Sequence, residues 1–189
     1  MNRFVCLAAS VALLAGAGTA SAQQQLNRNQ IVNSLYETEA TVARLDPAAL
    51  QAAADRAAAQ GGGNAPGPLS ADLRRYPQIS VEINFARGSA RILPSSYHAV
   101  GLIADALHTP YLMGQLIVVV GHTDATGTRE FNLELSKKRA ASVYNALTTT
   151  FSVPPGQLVA IGLGEEQLQD PANPDSGVNR RVQLINIGS

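Results

Sequence analysis

Asp124 and Arg139 are the two residues whose types and placement invite chemistry. Asp124 lies in the run Gly121-His122-Thr123-Asp124-Ala125-Thr126-Gly127, directly after an apolar stretch. Loops at strand ends are where sites are usually built. Asn132, Ser136 and Arg139 follow at i, i+4 and i+7, so on a helix they share one face, and that face starts close to Asp124. A carboxylate and a guanidinium flanking one shallow cleft suit a zwitterion, the first accepting from an ammonium and the second forking onto a carboxylate. The same spacing also fits a plain salt bridge between Asp124 and Arg139, or Asp124 capping a turn.

Other chemistries are weaker. His122-x-Asp124 hints at a metal or an acid–base pair, but a zinc site needs three or four converging ligands, and His98 and His108 fall on or near another helix. We therefore expect no metal and no cofactor, with His122 as a hydrogen-bonding residue at the strand end. Ser136 has no adjacent base to make it a nucleophile, and a helical serine ordinarily bonds locally. Arg180 and Arg181 open a strand, where alternation sends neighbours to opposite faces. Asn179 is expected to fix the preceding loop through side-chain to backbone bonds. Fourteen acidic residues balance fourteen basic ones in 189 residues, and there is no Trp and no basic stripe, which argues against nucleic acid as a partner. The single Cys excludes an intrachain disulfide framework.

The elements that must position these groups begin near Ile79. Ile79, Val81, Ile83 and Phe85 alternate with polar residues, as in a strand with one buried face. Pro94-Ser95 opens a helix with Tyr97, Val100, Ile103, Ala104 and Leu107 at helical spacing, closed by Thr109-Pro110. Leu116 to Val120 reads as a strand buried on both faces. A second helix spans about Glu130 to Leu147, with Phe131, Leu135, Val143, Tyr144 and Leu147 in its core stripe. Leu158 to Ile161 and Val182 to Ile187 are further strands. The order β-α-β-α-β-β predicts an α/β (α+β) two-layer sandwich with a mixed sheet.

Residues 1–22 read as a signal peptide: Arg3, an apolar run from Phe4 to Ala17, then the small-x-small site Ala20-Ser21-Ala22. Cys6 lies too early to be a lipoprotein acceptor, and no later segment is long and apolar enough to be a transmembrane helix. Residues 23–78 read as a helix-prone or disordered arm, with Ile31, Leu35, Thr38 and Val42 near a weak stripe and Asp46-Pro47 as a helix start. Ala48 to Gln60 has helix propensity but little to bury. Gly61 to Pro68 reads as a flexible linker. We expect this arm to be a spacer, with docking of an envelope protein partner as the alternative. Residues 79–189 form the compact domain.

Gly121-His122-Thr123-Asp124, Gly127, Asn132, Leu135-Ser136 and Arg139-Ala140, with Asn179-Arg180-Arg181-Val182 near the end, resemble the OmpA C-terminal-like, peptidoglycan-binding domain. The resemblance covers roughly residues 79 to 189. It implies a β-α-β-α-β-β fold and non-enzymatic, non-covalent binding of peptidoglycan, and it maps diaminopimelate recognition in the stem peptide onto Asp124 and Arg139. Thr123, Asn132, Ser136, Asn179 and Arg180 are expected to support that pair. The implied location is the periplasm, against the outer membrane or cell wall. The alternatives are a periplasmic protein-interaction module that uses residues 23–78 or the sheet edge, and a wall hydrolase, which the lack of a nucleophile–base or metal constellation disfavours.

Overall fold

The segment Ile117–Gly121 is apolar throughout, and every residue in it is buried. Such a run belongs at the centre of a sheet covered on both faces, and it takes that place. In the computed structural model, which describes residues 26–36, 45–59, 73 and 75–188, the strands are β1 (Gln78–Val81), β2 (Ile117–Gly121), β3 (Leu158–Gly162) and β4 (Val182–Asn186). They form one mixed sheet in the order β1-β4-β2-β3. β2 and β3 are parallel, with Ile117 opposite Leu158. β4 runs antiparallel to both β1 and β2. The parallel pair needs a long crossover, which a helix between the two strands supplies.

The helices are α1 (Arg28–Leu35), α2 (Pro47–Ala59), α3 (Tyr97–Leu107) and α4 (Arg129–Asn145). One face of the sheet, with Val81, Ile117, Val119, Leu158 and Leu184, packs on Val100, Ile103 and Leu107 of α3 and on Val143 beside Leu147 after α4. This is the expected β-α-β-α-β-β sandwich. Two sequence expectations shift at its margins. Phe131 and Tyr97 sit at helical core spacing yet are 53% and 42% exposed and join neither core cluster. The first strand ends at Val81, since the main chain at Asn84 turns to bond Leu93 N and Ser96 Oγ instead of β4.

The arm does not behave as a spacer where it is described. Ile31 and Leu35 of α1 are fully buried in the α3 core. Leu50, Ala54 and Ala58 of α2 join Leu73 against Val118, Val120, Ile161 and Ile185, the residues of β2, β3 and β4 that face away from α3. Full burial of a Leu or Ile side chain contributes roughly 1.5–3 kcal/mol, so the arm adds to the core. The expectation that Ala48 to Gln60 has little to bury fails because alanine's small side chain lets the helix lie close to the sheet. α2 begins at Pro47 as expected, with Asp46 Oδ1 accepting from Ala48 N at 2.9 Å. Gln51 bonds both main-chain groups of Gly162, accepting from N at 2.8 Å and donating to O at 3.0 Å. The signal segment, the Gly61–Pro68 linker, Thr38 and Val42 lie outside the described residues.

α4 is held close against the ends of β2 and β3. A Cβ on Gly121 would overlap the carbonyl of Ser136, and one on Gly162 would overlap the main chain of Lys137 and Ser136 Oγ. Only glycine permits that approach. It sets the helix face that carries Asn132, Ser136 and Arg139 beside the loop that follows β2. Thr128 caps α4 by accepting from Phe131 N at 3.2 Å.

Candidate functional site

The loop after β2 is pinned from both sides. His122 N donates to Arg181 O at 3.0 Å and Thr123 N to Gly164 O at 2.9 Å. Asp124 follows immediately. Its Oδ1 accepts from Thr126 N at 3.1 Å and its Oδ2 from Arg180 Nη1 at 2.7 Å. Burial pushes the Asp124 carboxyl upward, but the hydrogen bonds from Arg180 and Thr126 with the Arg180 charge outweigh it, and the pKa falls below the usual aspartate value. Asp124 is therefore an anion at neutral pH.

Arg139 is 7% exposed, a deeply seated cation. Its guanidinium lies 5.0 Å from the centroid of the Phe85 ring, within cation–π range. Its Nε donates to Ser89 O at 3.2 Å, and its two terminal nitrogens take no protein partner among the described residues. Burial lowers its pKa, Asp124 raises it and Arg180 lowers it, so the three charges act on one another. Arginine is not deprotonated in proteins, so the group stays charged.

These groups border one open cleft of about 1040 Å³. Thr123, Asp124, Asn132, Arg139 and Arg180 of the expected set line it; Ser136 and Asn179 do not. Ser136 is fully buried, its Oγ donating to Leu133 O at 2.7 Å and accepting from Gly164 N at 2.8 Å, which ties α4 to the loop after β3. Asn179 accepts from Asp170 N and donates to the carbonyls of Asn173 and Pro174, organising the loop before β4. Asn132 donates to Glu165 Oε2 at 2.6 Å, and Arg129 clamps Glu166 with bonds of 3.1 and 2.6 Å. The alternative reading, a salt bridge between Asp124 and Arg139, is not what forms; Asp124 pairs with Arg180 instead.

His122 bonds Gln183 Oε1 through Nε2 at 2.9 Å, and Gln183 in turn donates to Gln78 Oε1. Burial, then the Arg181 charge, holds the His122 pKa well below the usual histidine value, so the ring is neutral. Among the described residues no three His, Cys, Asp or Glu side chains come together to hold a metal ion.

Among the lining residues that sequence reasoning did not assign to the site, four bear on its chemistry. Phe85 supports Arg139 from below; the strand alternation placed it in the core but carried no sign of the guanidinium above it. Phe131 and Val178, 53% and 51% exposed, form apolar patches in the lining. Arg181 lines the cleft together with Arg180. Alternation does not separate them because Arg180 ends a short 3-10 turn and β4 starts only at Val182. Burial pushes the Arg181 pKa down to about 10, and its Nη2 donates to Gln167 O.

Residues 84–181 match the OmpA family, just over half of the 189 residues. Over 108 residues the chain is 29% identical to the outer membrane porin F of Pseudomonas aeruginosa, covering 56% of this chain and 30% of the porin. Over 102 residues it is 33% identical to the peptidoglycan-associated lipoprotein of the same organism, covering 53% of this chain and 58% of the lipoprotein. The chain thus spans less than two thirds of either relative. The OmpA-like domain of FopA1 from Francisella tularensis shares the fold, with a TM-score of 0.51 at 17% identity over 57% of this chain and 71% of that one. With the motif residues around one cleft and the family match spanning β2, α4 and β3, the chain belongs to the OmpA family.

Proposed function

We propose that this chain binds peptidoglycan non-covalently, holding the zwitterionic end of diaminopimelate between Asp124 and Arg139. The observation that carries this reading is the open pair of terminal nitrogens on Arg139, set in the same cleft as the ionised Asp124. The fork takes the ligand's carboxylate. Asp124 has acceptor capacity beyond its bonds to Arg180 and Thr126, since a carboxylate offers about four lone-pair sites, and it takes the ammonium. Thr123, Asn132 and Arg180 border the same space. Family membership and the name of the lipoprotein relative support peptidoglycan as the polymer bound.

Two charge-assisted contacts contribute roughly 1.5–3 kcal/mol each, and immobilising the ligand costs at least about 4 kcal/mol. A single stem peptide is therefore held modestly, and retention on the wall comes from the many repeats of the polymer. The reading is of binding without turnover: Ser136 Oγ is spent inside the fold and His122 faces Gln183. The protein acts in the periplasm after removal of residues 1–22, which N-terminal sequencing of envelope material tests. Co-sedimentation with purified sacculi tests the binding. Wild type pellets with the wall and the Asp124→Ala, Arg139→Ala double variant stays in the supernatant; equal pelleting of both overturns the proposal.

A further inference from the structure

We infer that the outer edge of β1 is a docking site for an extended L-peptide segment of another protein, which adds to the sheet as a further strand. Among the described residues β1 is an edge strand, paired only with β4. Its hydrogen-bond phase follows from two contacts: Asn186 N donates to Pro77 O, and Pro77 stands opposite Asn186 one step before the Gln78–Ile185 pair. Antiparallel pairs alternate between bonded and non-bonded. Ile79 and Val81 therefore spend their main-chain groups on β4, while Gln78, Ser80 and Glu82 direct theirs away from the sheet. The other ladder agrees, since Ile187 N donates to Leu116 O and His122 N to Arg181 O, which turns Ile185 and Gln183 toward β2.

One register step further along, this edge is already occupied by the protein's own extended chain. Leu93 N donates to Asn84 O and Ala86 N to Arg91 O, with Phe85 bridged antiparallel to Ile92. An extended L-peptide thus fits this edge, and among the described residues the row stops short of Glu82 and Ser80. Beside that vacant stretch runs a groove of about 540 Å³ lined by Leu26, Gln30, Asn33 and Ser34 on the helical side and by Ile79 to Glu82 on the strand side. Ser80 and Glu82 are exposed. Strand addition draws affinity from main-chain bonds and specificity from alternate side chains. Glu82 is the charged residue lining the groove among those described, so the favoured guest carries a basic side chain opposite it. Ser80, Val81 and Glu82 also border the cleft of the Asp124–Arg139 pair, but strand addition uses their main-chain groups and stands whether or not that pair binds the wall.

The test uses the full chain, isotopically labelled for amide spectroscopy, and the synthetic peptide Lys-Thr-Val-Thr-Val-Thr-Lys as probe. Addition of the probe is expected to shift the Ser80 and Glu82 amide signals and slow their hydrogen exchange by about tenfold, the mark of new pairing. The same peptide N-methylated at alternate residues keeps its side chains but loses the donors, and it should not bind. Ser80→Pro removes an outward donor while leaving the Ile79 and Val81 bonds to β4, as proline on an edge strand can, and should weaken the probe about tenfold. Unchanged Ser80 and Glu82 amides, or equal binding of the N-methylated peptide, overturns the inference. So does protection of these amides in the free protein that vanishes on dilution, which would assign the edge to a second copy, or protection by a soluble muropeptide but not by the probe, which would assign it to the wall.

Discussion

The carboxylate of Asp124 meets the guanidinium of Arg180 at 2.7 Å, and by doing so leaves Arg139 without an acidic partner among the described residues. Arg180's side chain is 50% exposed, so this pair is the kind that contributes little to stability. Its consequence is chemical: Asp124 is kept ionised, and a deeply seated guanidinium keeps its fork directed at the cleft.

Replacing the two members of the binding pair should therefore have unequal structural effects. Asp124→Ala removes a side chain whose bonds go to Thr126 and an exposed arginine, and its melting temperature should stay near wild type. Arg139→Ala loses the Phe85 stack and the Ser89 bond and should cost about 1–2 kcal/mol, since a buried arginine stem packs as well as it charges. Calorimetric melts of both check this. Equal melting temperatures would mean that Arg139 contributes no packing.

The fold and the centre of the site were legible in the sequence for specific reasons. The unbroken Leu116 to Val120 run could only be a central strand, and the i, i+4, i+7 spacing of Asn132, Ser136 and Arg139 required one helix face whatever the tertiary arrangement. The ion-pairing was not legible, because Arg180 reaches Asp124 through a 3-10 turn that strand alternation does not describe. The packing of the arm escaped for a different reason. Leu50, Ala54 and Ala58 form a stripe too small to stand out in an alanine-rich segment, and the acceptor for it, the far side of Val118 and Val120, exists only once the sheet is formed.

Stability should fall with acidification below the ordinary histidine pKa. His122 has a folded-state pKa depressed below its unfolded value near 6.5, so between the two values the unfolded chain binds a proton that the folded one refuses. The stabilisation is complete above about pH 6.5 and shrinks as pH falls, by at most about 1.4 kcal/mol per pH unit for one proton. Denaturant titrations from pH 7.5 to 5 should show that slope in wild type and lose it in His122→Gln. A slope unchanged by the substitution would show that another group titrates there.

Alanine at Gly121 or Gly162 should push α4 off the ends of β2 and β3, because each new Cβ meets main chain rather than a flexible side chain. Overpacking of this kind costs typically about 1–3 kcal/mol. Each variant should also weaken wall binding, since Asn132 and Arg139 ride on the displaced helix. A variant with wild-type stability and binding would contradict the close approach.

The arm should be dispensable for contact with the wall but not for stability. A fragment beginning at Leu69 retains Asp124, Arg139 and every strand, yet it loses Ile31, Leu35, Leu50 and Ala54 from the core. Its melting temperature should drop. Leu35→Ala in the full chain should alone cost about 2–5 kcal/mol, and Gln51→Ala about 1 kcal/mol through its two bonds to Gly162. Thermal melts and sacculus co-sedimentation of the three proteins separate the two effects. A fragment as stable as the full chain would show that the arm is a spacer after all.

The most direct test is calorimetric titration with a soluble diaminopimelate-containing muropeptide, comparing wild type with Arg139→Lys. Lysine keeps the charge but cannot offer a planar two-donor fork. The account predicts measurable binding to wild type and at least a tenfold loss, about 1.4 kcal/mol, in the lysine variant. Equal affinity of the two proteins, both folded, would contradict it.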